Sequence, residues 1–185
     1  NRVLVGAGDD CAVLKEKSGG PQLLFKTDAI VENVHFKPEV PPSLVGRKAL
    51  ARNLSDIAAM GGKPRAALIT VAAPPETSVN RLRAIYDGLG KLATAYDVAL
   101  VGGETVRAQS LMLSVALLGV MPSGVQPVLR NTAQAGDDIW ATGKLGGSQS
   151  RKHLAFEPRL EAGQWLAKNK LATAMMDLSD GLGAD

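Results

Sequence analysis

Apolar residues recur at two different spacings along this chain, and the spacing assigns the elements. Between Ser43 and Met60, Leu50, Leu54 and Ile57 return every three or four residues, the repeat that lines one face of an α-helix. Ser43 reads as the N-cap, and Gly61 and Gly62 followed by Pro64 read as the stop. A second helix is expected from about Ser78, with Leu82, Ile85, Leu89 and Leu92 on one face before Tyr96 and Asp97. Between and around these helices lie short apolar runs: QLLFKTD, AALITVAA, VALVGG and LMLSVALLGV. Their length, their leucine and β-branched content and their Gly or Pro boundaries predict strands. The order β, α, β, α, β, β predicts an α/β or α+β domain that ends near Pro122.

The character changes after that point. Turn residues gather around Gly136, a new strand is expected in DIWATG, and one helix in Glu157 to Lys168, before the chain stops at LSDGLGAD. A domain boundary is placed between residues 129 and 130. Residues 130–185 carry too few elements to close a core, so this second α/β unit reads as incomplete and must borrow burial from elsewhere.

Composition narrows the functional classes. The 185 residues are 45% hydrophobic, enough for a sizeable core. The longest apolar run, Leu111 to Met121, is well short of the roughly 18 residues a membrane-spanning helix needs, and the opening NRVLVGAGDD lacks the features of a secretory signal. With the single Cys11, this makes the cytoplasm the expected compartment. A net charge of +3 with scattered Lys and Arg and only 4% aromatics gives no nucleic-acid stripe or stacking surface. A small ligand is expected instead.

The acids carry the chemical signal. Asp9 and Asp10 follow GAG, Asp28 closes LLFKTD, Glu104 follows VGG, Asp56 sits on the edge of the first helix, and Asp177 and Asp180 flank LS near the end. Strand ends of this kind converge on one side of an α/β sheet. Carboxylates gathered there would repel one another unless cations neutralised them, and hard oxygen-ligated ions such as Mg²⁺ suit the task. Two histidines and one cysteine argue against zinc. Each acid also has an ordinary reading: Asp56 lies four residues after Arg52 and could form a surface ion pair, GAGDD could be a turn, and DLSDGL a helix cap.

Taken together, GAGDDCAVL, KTDAIVENVHF, GRKALARNLSDIAAMGGKPRAALI, LVGGET and MMDLSDGLGAD are specific, and in order and spacing the chain resembles the thiamine-monophosphate kinases. These belong to a superfamily that also holds aminoimidazole ribonucleotide synthetase, selenophosphate synthetase and the hydrogenase maturation dehydratase. The resemblance implies transfer of the terminal phosphoryl group of ATP to thiamine monophosphate, assisted by several Mg²⁺ ions, without a covalent enzyme intermediate. It implies Asp10, Thr27, Asp28, Asp56, Glu104, Asp177 and Asp180 as metal ligands with Asp9 close by, and Asp56 and Asp180 as the catalytic carboxylates. Gly103, Glu104, Arg130 and Ser179 would contact ATP, and His35 the thiamine phosphate. It further implies a four-stranded sheet that closes a barrel with a second subunit, making a homodimer.

Two departures stand out. The kinases carry Gly-Gly-Asp where this chain has Glu104, and aminoimidazole ribonucleotide synthetases carry Gly-Gly-Glu-Thr, so that branch stays open, as does a non-catalytic nucleotide-binding relative. In addition, GGSQS runs almost directly into RKHLAFEPR, so a helical segment of the kinases is missing near residues 148–151.

Overall fold

The computed structural model describes residues 2–15, 19–148 and 152–185. The expected gap near 148–151 therefore lies largely outside the described residues. Eight main elements build the first part of the chain: β1 (Val3–Val5), β2 (Ala12–Leu14), β3 (Leu23–Val31), α1 (Pro42–Ala59), β4 (Lys63–Ala73), α2 (Val79–Ala95), β5 (Ala99–Arg107) and β6 (Met112–Val120). After a short 3₁₀ turn at Arg130–Thr132 come α3 (His153–Ala155) and α4 (Leu160–Asn169).

The strands form one sheet in the order β1-β2-β3-β6-β4-β5, antiparallel except for the β4–β5 pair. It has six strands where four were expected: the two extra are the three-residue β1 and β2, which flank the GAGDD turn and are too short to announce themselves by alternation. The parallel pair requires a crossover, and α2 supplies it. Alternation along β6 buries Leu113, Val115 and Leu117 on one face, and β4 buries Ala67, Ile69 and Val71 beside them. The helices cover this face. Leu50, Leu54 and Ile57 of α1 and Ile85 and Leu89 of α2 are fully buried, as their spacing predicts.

Glycines set how closely the helices approach. A side chain at Gly46 would collide with the carbonyl of Ile85, and one at Gly88 with the carbonyl of Ser43, so α1 and α2 cross at backbone contact. Ser43 itself is not the N-cap: Pro41 occupies that position without a side-chain bond, and Pro42 opens the helix, its missing N–H costing nothing there. Ser78 does cap α2, accepting from Arg81 N at 3.2 Å.

The end of the chain leans on α1. Gly163 of α4 packs against the carbonyl of Ala58, Gln164 Nε2 donates to Gly62 O at 2.9 Å, and Leu154, Leu160 and Ala167 are buried. The helix expected from Glu157 begins at Leu160, because Glu157 precedes Pro158 and is held out of helical conformation. The strand expected in DIWATG does not form. A strand needs a ladder partner, none of the described residues supplies one, and Ile139 and Trp140 stand almost fully exposed.

Candidate active site

The site gathers on the helix-covered face of the sheet, where α1, β3 and the GAGDD turn meet. Along β3, Leu24 and Ile30 are buried inward, so Lys26 and Asp28 share their face, while Phe25, Thr27 and Ala29 face outward. From the opposite side α1 contributes Arg52, Ser55 and Asp56. The two elements interlock through charge: Lys26 Nζ lies 3.2 Å from Asp56 Oδ1 and 3.8 Å from Asp28 Oδ1, and Arg52 Nη2 lies 3.5 Å from Asp28 Oδ2. The ordinary reading of Asp56 as the surface partner of Arg52 thus fails, since Arg52 pairs with Asp28 and Asp56 is buried.

Asp10, Asp56 and Asp177 each place a carboxylate oxygen within 4.8 Å of the others. Asp10 is buried and held by the guanidinium of Arg130, while Arg130 N and Asp10 N both donate to the Asp9 carboxylate, at 3.2 and 2.9 Å. Burial raises the Asp10 pKa to about 6, against the pull of Arg130. Burial raises Asp56 further, to about 8, with Asp177 adding to the rise and Lys26 opposing it. Asp177 is also raised, mainly by burial, although the Ser55 hydroxyl and Lys26 lower it. The second oxygens of Asp10 and Asp56 are buried with no hydrogen-bond partner among the described residues. Unpaired buried carboxylate oxygens are costly, and a hard cation among three carboxylates would satisfy them. The residues present fit a divalent metal.

His35 sits at the rim, in the turn after β3. Its Nδ1 accepts from Val31 N at 3.1 Å, which leaves the ring proton on Nε2. Burial lowers its pKa, and Arg52 and Lys48 push it the same way.

Other expected site residues lie elsewhere. Asp28 is in the middle of β3 rather than at its end, because the ladder with β6 runs on through Val31. Thr27 faces outward with its hydroxyl 3.4 Å from Ser114 Oγ, so only its main chain could serve the cluster. Glu104 pairs with Thr70, which pairs with Ser114, placing it on the outward face and three strands, about 14 Å, from β3. Gly103 is demanded by β4: a side chain there would strike Ile69 O. With Tyr86, Leu100 and Thr105, Gly103 and Glu104 line a separate cavity of about 310 Å³. Ser179 and Asp180 are exposed in the final turn, where Asp180 N and Gly181 N donate to Asp185.

Sequence reasoning missed Lys26 and Ser55, which face Asp56 and Asp177. Lys26 could have been found from strand parity with Asp28, two residues on.

Residues 8–121 match the family model described as AIR synthase related protein, N-terminal domain. The chain belongs to this family. Within the AIR synthase related proteins, the thiamine-monophosphate kinase of Rhodopirellula baltica is 40% identical over 192 residues, covering 100% of this chain and 60% of its own length. That of Bacillus subtilis is 35% identical over 205 residues, covering 98% of this chain and 62% of its own length. The structure described as AaThiL complexed with AMPPCP and TMP superposes with a TM-score of 0.85 at 30% identity, over 96% of this chain and 62% of that one. A thiamine monophosphate kinase from Aquifex aeolicus gives 0.84 at 30% identity, over 94% of this chain and 63% of that one. The resemblance read in the motifs is borne out. The chain spans about three fifths of the length of the curated relatives it matches. No helix among the described residues is long and apolar enough to cross a membrane.

Proposed function

We propose that this protein phosphorylates thiamine monophosphate to thiamine diphosphate with ATP as donor, using Mg²⁺ held by the Asp10, Asp56 and Asp177 cluster. The observation that carries this reading is the pair of buried, unpartnered carboxylate oxygens on Asp10 and Asp56. It is supported by the relatives named thiamine-monophosphate kinase and by the similar structure described with AMPPCP and TMP.

The chemistry asks little of a protein nucleophile. An oxygen of the acceptor phosphate attacks the terminal phosphorus of ATP, that O–P bond forms, and the bond to the β-phosphate oxygen breaks to release ADP. A phosphomonoester is already largely doubly ionised near neutral pH, so no general base is needed. A divalent ion held by Asp10, Asp56 and Asp177 would supply charge neutralisation for the phosphates in the transfer. The chain's own residues position the reactants. Asp56, with Asp28 at the edge, holds the metal side of the cleft; Arg130, now on Asp10, offers a forked cation to phosphate oxygens; His35 offers Nε2–H to the acceptor phosphate. Ser179 and Asp180 would have to swing in with the final turn.

A homodimer fits this reading. The outward face of the sheet carries exposed Phe25 and Leu68, β5 is exposed along its whole length, and β2 covers only Leu23–Phe25 of the β3 edge. A second copy closing a barrel would bring its β5 beside the free part of β3, which is how the Gly103 cavity would come beside the acidic cluster, with Glu104 on the outward face with Thr27. The domain boundary at residues 129 and 130 belongs to the same proposal.

One observation favours a second reading: Glu104 matches the Gly-Gly-Glu-Thr of aminoimidazole ribonucleotide synthetases, which would keep the ATP and metal site and change the acceptor. Calorimetric titration of thiamine monophosphate, with Mg²⁺ and a non-hydrolysable ATP analogue present, separates the two. Saturable binding supports the kinase; analogue binding without a thiamine monophosphate signal supports the other acceptor.

A further inference from the structure

Lys48 is a buried lysine with no carboxylate beside it among the described residues. It lies on α1, one turn before Arg52, and is 7% exposed. Its ammonium donates to the main-chain carbonyl of His35 at 2.5 Å and sits 2.8 Å from His153 Nδ1. The charged and titratable groups that face it are Arg52 from its own helix, His35 from the turn after β3 and His153 from α3, and none is an anion. Burial and Arg52 press its pKa down to about 8. A buried ammonium without a counter-ion is costly, and a methionine would fill the same space without that cost.

What the ammonium holds is informative. The His35 turn is fixed at three points: Val31 N–H donates to Nδ1, His35 N donates to Val31 O at 2.8 Å, and Lys48 takes the His35 carbonyl. Together these immobilise the imidazole and leave Nε2–H as its donor for a ligand. Because an ammonium only donates, His153 Nδ1 must accept from it, which ties α3 to the same point. The turn after β3, α1 and, 105 residues further on, His153 meet at one nitrogen.

We propose that Lys48 is a positioning residue for the phosphomonoester acceptor, acting through His35, whose main chain it clamps between α1 and the His153 segment. The inference rests on the reading of His35 as the acceptor contact. Lys48 does not itself touch the reacting atoms.

The test is calorimetry on the wild type, Lys48→Met and Lys48→Arg, titrating thiamine monophosphate in Mg²⁺ and a non-hydrolysable ATP analogue, and titrating the analogue alone. Lys48→Met is expected to weaken thiamine monophosphate about tenfold or more, the range for a lost charged hydrogen bond. Analogue affinity should stay within about twofold, and Lys48→Arg, which can still donate to the carbonyl, should recover most of the loss. Amide exchange at residues 33–36 should speed up in Lys48→Met and not in Lys48→Arg. Wild-type acceptor affinity in Lys48→Met, or an equal loss of both ligands, overturns the inference. If Lys48→Met does not melt cooperatively, His153→Ala carries the test: acceptor affinity falling a few-fold with analogue affinity intact supports it, and no change overturns it. A wild type that binds the analogue but not thiamine monophosphate overturns the kinase reading instead, a pattern distinct from either.

Discussion

Lys26 Nζ lies 3.2 Å from one oxygen of Asp56, while the other oxygen of that carboxylate is buried without a partner. The lysine faces one oxygen of the carboxylate, and on the proposed reading the other oxygen takes the metal. Asp56→Asn keeps an oxygen for Lys26 but gives up that proposed metal ligand. It should reduce phosphoryl transfer by about 100-fold or more, while shifting the thermal midpoint in metal-free buffer only slightly, because the amide oxygen still accepts from Lys26 and Asp28 still faces that lysine. Paired activity assays and melting curves check this; a large loss of metal-free stability would mean that the carboxylate serves the fold.

Asp10 and Asp56 titrate near 6 and 8 in the folded protein, and Asp177 is also raised, all above the usual carboxylate value of 3.8. Between that value and about pH 8 these three carboxyls therefore hold more protons in the native state than in the unfolded chain, and their part of the metal-free stability falls as pH rises. Mg²⁺ binds only the ionised carboxylates, so its stabilising effect should grow over the same window. Melting curves with and without Mg²⁺ at about pH 5 and about pH 8.5 should differ little at the first and clearly at the second. An equal Mg²⁺ effect at both would place the ion elsewhere.

Asp56 itself was legible from the chain, because the Leu50, Leu54 and Ile57 repeat fixes the helix face and sets Asp56 at its edge. The strand and helix order was legible for the same reason. Which acids meet was not, because that depends on register. Strand parity puts Lys26 and Asp28 inward but Thr27 outward, and the β4–β5 and β4–β6 ladders carry Glu104 to the far face. DIWATG misled because alternation reports a suitable strand, not the presence of a neighbour to pair with.

The α1–α2 crossing depends on Gly46 and Gly88, each of which faces a carbonyl of the other helix. Gly88→Ala pushes a methyl group into Ser43 O, and Ser43 is held by the first turn of α1. A loss of about 1–3 kcal/mol is expected, the usual range for overpacking, read from denaturant unfolding. Gly90, on the same helix with open space beside it, is the control: Gly90→Ala should be neutral or slightly stabilising.

If two copies close a barrel through their outward sheet faces, Leu68 lies within that interface, half exposed in a single chain. Leu68→Arg should convert a dimer to a monomer in sedimentation and lower transfer activity with it, since the Gly103 cavity would no longer be supplied by the second copy. A monomeric wild type that is fully active would remove the dimer from the account.

The most direct measurement follows labelled terminal phosphate from ATP onto thiamine monophosphate, comparing the wild type with Asp56→Asn in the presence and absence of Mg²⁺. Labelled thiamine diphosphate formed by the wild type only with Mg²⁺, and lost in Asp56→Asn, is the predicted result. Transfer that continues without a divalent ion, or that survives in Asp56→Asn, would contradict the assignment of the buried aspartates.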